Sequence, residues 1–213
     1  MTDFRLDSKY NFKIHNYKLD RNSNPYINQE IAYKNLVLFS NFLINHKIYH
    51  GIIYGTLLGL YREEALIKHD QDVDLYILDE DKDRLLKSLQ FIENIGFKII
   101  RFDKKLISIF KDGEYIDMYL FSKFFFKFRK CGRTVIKASY LENSSSLNIK
   151  GFKFNVPSPT EKFLIQCYGK DWRQPKKGCR QQSTNNLFTF IFRFFGIPRK
   201  IFKIFKNILK KYI

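Results

Sequence analysis

A chain of 213 residues with 45% hydrophobic content is long enough for one domain with a proper core, which excludes a disordered tail protein. The formal net charge is +17, and the stretch from Trp172 to the C-terminus holds eleven Lys and Arg with no Asp or Glu. Such an excess attracts polyanions, whether nucleic acid, anionic lipid or charged glycan, and by itself does not choose among them.

Residues 1–27 are polar, rich in Asn, Lys and Tyr, and read as an irregular lead-in. From Asn28, a candidate N-cap, Ala32, Leu36, Phe39 and Leu43 recur at helical spacing, which predicts an amphipathic helix ending near Asn45-His46. Ile52-Ile53-Tyr54 reads as a short buried strand that stops at Gly55, with a helix beginning at Thr56. Gly55 and Thr56 then lie at a strand-to-helix junction, where backbone N–H groups can face an anion. Asp72 to Leu78 predicts a strand with Asp72, Asp74 and Tyr76 on one face and Val73, Leu75 and Ile77 on the other.

Asp81 to Asn94 reads as a helix closed by Gly96. Strands are predicted at Phe97–Ile100, Leu106–Phe110 and Tyr115–Phe121, the last two joined by the hairpin turn Asp112-Gly113. Phe124 to Asn148 has no assignable pattern. Phe152 to Val156 alternates as a strand, and Ser158-Pro159-Thr160-Glu161 predicts a capping box opening a helix that ends at Gly169.

Asp70, Asp72 and Asp74 enter an apolar strand at alternate positions. If the segment is extended, three like charges crowd one face about 7 Å apart, an arrangement that favours bound cations. Asp117 interrupts the apolar run Tyr115 to Leu120 and is a candidate fourth acid, since a buried carboxylate is expensive without a partner.

The segment Tyr54-Gly55-Thr56-Leu57-Leu58-Gly59-Leu60-Tyr61-Arg62, followed by Asp70-Gln71-Asp72-Val73-Asp74, resembles the signature of the LicD/fukutin-related phosphotransferase family. A later block, Tyr168-Gly169-Lys170-Asp171-Trp172-Arg173-Gln174-Pro175, is similar to that family's Y-G-x-x-W-x-x-P element. Lys68-His69 stands where the family has Pro-Trp, and Gln71 where it often has an acid. The resemblance implies an α+β, polymerase-beta-like nucleotidyltransferase fold, a mixed sheet flanked by helices. It also implies transfer of a phospho-alcohol, of the phosphocholine or alditol phosphate type, from a CDP-linked donor to a sugar hydroxyl of a cell-surface glycan. Asp72, Asp74 and Asp117 would hold Mg²⁺ or Mn²⁺ and carry the catalysis. Gly55, Thr56, Arg62 and Asp70 would contact substrate, Arg62 serving either there or in a structural salt bridge.

Residues 28–180 are thus expected to form the catalytic domain and 181–213 a basic amphipathic segment. From Pro198, apolar Ile201, Phe202, Phe205, Ile208 and Leu209 oppose Lys203, Lys206, Lys210 and Lys211. That pattern, with the Phe-rich stretch before it, suits contact of residues 187–213 with an anionic membrane surface, and so with a lipid-linked acceptor. Cys131, Cys167 and Cys179 are odd in number and lack C-x-x-C spacing, and no apolar stretch approaches the roughly 20 residues a membrane span needs. The expectation is a cytoplasmic protein held at the inner face of the cell membrane. Two other readings remain open: transfer of a nucleoside monophosphate by the same fold, and a basic nucleic-acid-binding module, which no motif supports.

Overall fold

The computed structural model describes residues 4–17 and 26–175. Cys179 and the basic amphipathic segment expected at 181–213 lie outside the described residues.

Residues 4–15, within the expected irregular lead-in, are regular. Phe4–Asp7 (β1) and Phe12–His15 (β2) form an antiparallel hairpin, and β2 carries Phe12 and Ile14 into the core. Helix α1 (Gln29–Asn45) starts where expected, with Asn28 Oδ1 accepting a hydrogen bond from Ile31 N at 3.2 Å. Its stripe of Ala32, Leu36, Phe39 and Leu43 is wholly buried.

Strand β3 (His50–Ile52) ends two residues before the predicted position, because Tyr54 already opens helix α2 (Tyr54–Glu63). Strand β4 (Val73–Leu78) begins after Asp72, which lies in a bend, and all six of its residues are buried. Both faces of β4 are therefore covered, the one that carries Asp74 and Tyr76 as well as the one that carries Val73, Leu75 and Ile77. Helix α3 (Lys82–Ser88) tightens into a 3₁₀ stretch, Leu89–Ile95, that Gly96 closes at φ +84°.

Strands β5 (Lys98–Phe102), β6 (Leu106–Lys111) and β7 (Glu114–Phe124) form the predicted meander, but β7 runs three residues further than expected. The unassigned region contains β8 (Phe128–Cys131), β9 (Thr134–Lys137), helix α4 (Ala138–Glu142) and β10 (Ser145–Ile149). β11 (Phe152–Val156) pairs with β10, and helix α5 (Thr160–Tyr168) follows. The expected capping box does not form: Pro159 is still extended, so the helix starts a residue later, with a cap that has no side-chain acceptor.

Among the described residues, nine strands make one mixed sheet with the path β1-β2-β5-β6-β7-β4-β3, and β8 and β9 continue from β7. β4 and β7 lie side by side and parallel, with only β3 outside β4, and Asp74 is directly opposite Asp117. This register builds the site. The hairpin β10–β11 is tied to β3 by Asn155 Nδ2 donating to the His50 carbonyl at 2.8 Å.

Candidate active site

The chain passes from β3 into α2 through a strained turn. Ile53 is extended, and Tyr54, at φ +52°, occupies the left-handed region that costs a non-glycine residue about 1–2 kcal/mol. Neighbouring contacts hold it there. Ile53 N donates to the Asp74 carbonyl at 3.1 Å, and the buried Tyr54 ring meets Tyr119 edge to face at 5.2 Å. Strain of this kind persists where the surrounding structure over-determines it, often at functional sites.

Gly55 comes next, and a Cβ there would collide with Asp70 Oδ2. Glycine at this position lets the Asp70 carboxylate approach the helix start. Asp70 itself is pinned through its backbone, its N–H donating to the Ile67 carbonyl and its carbonyl accepting from Ile27 N, both at 3.0 Å.

Asp74 is locked into the same junction. Its backbone N–H donates to Thr56 Oγ1 at 2.7 Å, and its Oδ2 accepts from Gly55 N at 3.3 Å. Gly55 and Thr56, expected to meet phosphate, thus engage Asp74 in this structure. On the adjacent strand, Asp117 Oδ1 accepts from Ser108 Oγ at 2.5 Å, with Ser108 its register partner on β6. Both carboxylates are buried.

The electrostatics follow from that crowding. Burial raises the Asp74 carboxyl well above the usual carboxylate range, and the charges of Asp72, Asp70 and Asp117 push it further, against the pull of the Gly55 N–H. Burial also raises Asp70, whose side chain hydrogen-bonds with Asp72. The expected acids therefore converge, although Asp70 and Asp72 lie ahead of the strand rather than along it.

This donor set is chemically suited to a hard divalent cation, which would offset the crowded negative charge. Among the described residues, no three or more His, Cys, Asp or Glu stand as a ready-made metal cage. Mg²⁺ usually takes one or two carboxylates and completes its shell with water and substrate phosphate, so the two observations are compatible.

Three tyrosines that the sequence pattern hid surround the acids. Beyond Tyr54, the Tyr119 and Tyr168 hydroxyls are pushed up by burial and then by Asp74. Tyr54 and Tyr168 each open one of the two sequence blocks, and that shared position is the signal that could have marked them.

Arg62 turns away from these acids. It donates to Glu63 Oε1 at 2.7 Å and to the Trp172 carbonyl at 3.2 Å, clasping α2 to the turn after α5. Trp172 is buried against Tyr61, with the Arg173 guanidinium 4.3 Å from its ring centroid. His69 packs edge to face on Tyr26 at 5.2 Å.

Residues 47–159 match the family described as LicD/FKTN/FKRP, nucleotidyltransferase domain, more than half of the chain. The chain belongs to this family. In LicD terms, the match covers the strained turn, all four acids, Tyr119 and the whole of β7, while Tyr168 and Trp172 fall beyond it.

Among solved structures, the chain is similar to the antibiotic-resistance factor ANT(2″)-Ia. A crystal structure in complex with adenylyl-2″-tobramycin is 9% identical, with 86% of this chain and 98% of that chain covered at a TM-score of 0.46. A solution structure is 10% identical, with 85% and 94% covered at 0.47. No curated protein matches the chain.

Proposed function

We propose that this LicD-family domain transfers a phospho-alcohol group from a CDP-linked donor to a sugar hydroxyl of a cell-surface glycan. The observation that carries the reading is the pairing of buried Asp74 and Asp117 on adjacent parallel strands, with Asp72 and Asp70 beside them at a glycine turn.

Asp72, Asp74 and Asp117 would hold Mg²⁺ or Mn²⁺, which supplies positive charge against the donor diphosphate and the departing nucleotide. Asp117, oriented by the Ser108 hydroxyl, either completes that metal site or takes the proton of the attacking hydroxyl. The sugar oxygen bonds to phosphorus as the bond to CMP breaks. Tyr54, Tyr119 and Tyr168 wall the acids and limit water at the reacting phosphorus. Arg62, held by Trp172, positions α2 and thereby the Gly55 turn. A lipid-linked acceptor would give the basic segment 187–213 its use at an anionic membrane.

The test is incubation with a panel of CDP-linked donors and Mg²⁺ or Mn²⁺, scored by CMP release, with Asp72→Asn and Asp74→Asn beside the parent. Release that needs both acids and the metal supports the reading. Full activity in both variants overturns the site. The family's nucleotidyltransferase domain keeps a second reading in view, nucleoside monophosphate transfer, which would release pyrophosphate instead.

A further inference from the structure

The turn between β7 and β8 is three residues long, Phe125-Phe126-Lys127. Phe126 is fully exposed and Phe125 is 60% exposed, at a place where water normally selects polar residues. Phe125 also sits at φ +51°, a conformation that glycine or asparagine adopts far more easily. Phe125 packs its ring on Phe124 at 4.5 Å, but solubility does not account for Phe126, and a sequence that breaks local rules in this way usually does so for function.

The base beneath the tip is rigid. Arg129 on β8 is 2% exposed and donates to Asp79 at 2.6 Å, to Glu80 at 2.7 Å and to Glu142 at 2.6 Å. Arg129 and Lys123, which pairs with Glu80 at 3.0 Å, offset two of these three carboxylates, and Lys127, Lys130 and Lys137 outweigh the third, so the net charge around the tip is positive. Among the described residues Lys127, Lys130 and Lys137 form no ion pair, and Lys130 Nζ lies 5.3 Å from the Phe124 ring centroid. A cleft of about 480 Å³ beside the tip is lined by Lys123, Phe125, Phe126, Phe128, Ala138 and Glu142.

We propose that this hairpin tip is a membrane-contacting element that inserts Phe125 and Phe126 into the interfacial region of an anionic lipid bilayer while the surrounding lysines meet the headgroups. A fully exposed aromatic on a narrow turn suits a soft apolar phase better than a flat protein surface. The lysine ring selects negative lipid. Phe124 lies seven positions along β7 from Asp117, about 23 Å at the usual strand rise, so the contact would hold the carboxylate site near the bilayer surface. The proposal does not depend on the transfer reaction, nor on residues 187–213.

The full chain is mixed with vesicles of phosphatidylcholine plus phosphatidylglycerol, and separately with phosphatidylcholine alone, and sedimented. The double variant Phe125→Ser/Phe126→Ser is expected to bind the anionic vesicles about tenfold more weakly, and Lys127→Glu about fivefold more weakly, with unchanged melting temperatures. Because the C-terminal segment can also bind lipid, Phe126→Trp gives a local readout against the parent chain, whose single Trp172 is buried. Its emission is expected to shift to the blue on anionic vesicles and to be quenched by brominated lipid. Two results overturn the proposal: a Phe126→Trp emission that anionic vesicles leave unmoved, or a blue shift that follows protein concentration without vesicles and assigns the tip to a second copy of the chain.

Discussion

The two hairpins that bound β7 turn the chain in different ways. The one before it turns at Asp112-Gly113, with Asp112 at φ +50° and Gly113 at φ +88°, and these residue types populate that region readily. The one after it turns at Phe125-Phe126-Lys127, with Phe125 forced into the same region. The first is knitted into the body: Glu114, the residue after the turn, is buried and accepts a hydrogen bond from Asn28 N, the cap of α1, at 2.7 Å. The second is held at its base by Arg129 and by Ala138 N donating to the Lys127 carbonyl at 2.9 Å, and sends Phe125 and Phe126 into solvent. One end of β7 is thus built for stability and leads into the acids, and the other gives up local comfort to display aromatic surface.

The largest expected effect breaks the acid end. Asp117→Asn or Asp74→Asn should lower donor-dependent CMP release about 10³-fold, whereas Phe126→Ser should leave turnover of a soluble acceptor unchanged. Equal losses in the two would erase the distinction between the ends. Next comes the base of the aromatic hairpin. Arg129→Leu strands three carboxylates and should cost about 3 kcal/mol in a denaturant melt, the low end for a buried pair because Asp79, Glu80 and Glu142 stay 34%, 44% and 41% exposed.

A smaller effect is pH-dependent. Because Asp74 binds its proton more tightly when folded, the native state holds more protons than the unfolded chain above the ordinary value of 3.8. Stability of the metal-free protein should therefore fall as pH rises from there to the elevated native value. Asp74→Asn should flatten that fall and raise stability at neutral pH by about 1 kcal/mol, and Mg²⁺ or Mn²⁺ should reverse the fall in the parent alone. The smallest test is a pair of turn substitutions. Gly113→Ala should cost about 1 kcal/mol, while Phe125→Gly should lie within about 0.5 kcal/mol of the parent, relief of backbone strain offsetting the lost Phe124–Phe125 ring contact.

The same contrast explains what could be read from sequence. Asp112-Gly113 announced its hairpin because residue type and conformation agree, and α1 was legible because Asn28 and a regular apolar stripe agree. The region from Phe124 to Asn148 was not, since phenylalanine carries no turn signal and the following elements are only four or five residues long. β1 and β2 hid for a similar reason: Phe12 and Ile14 alone are too brief a pattern. Within the site, Asp74 and Asp117 stood out because carboxylates interrupt apolar strands. Tyr54, Tyr119 and Tyr168 did not, because an aromatic residue in an apolar run looks like core until the register sets it beside a charge. The pairing of Asp74 with Asp117 is itself a property of strand order, which alternation within one strand does not reveal.

Trp172 gives the protein a built-in optical gauge. It is the chain's single tryptophan, and it lies on Tyr61 of α2 while its carbonyl holds Arg62 of the same helix. The helix it grips begins at the strained Tyr54 turn. Any loosening of that grip, as when a donor or a metal ion reshapes the acids at the other end of α2, should register as a change in indole emission without a label being attached.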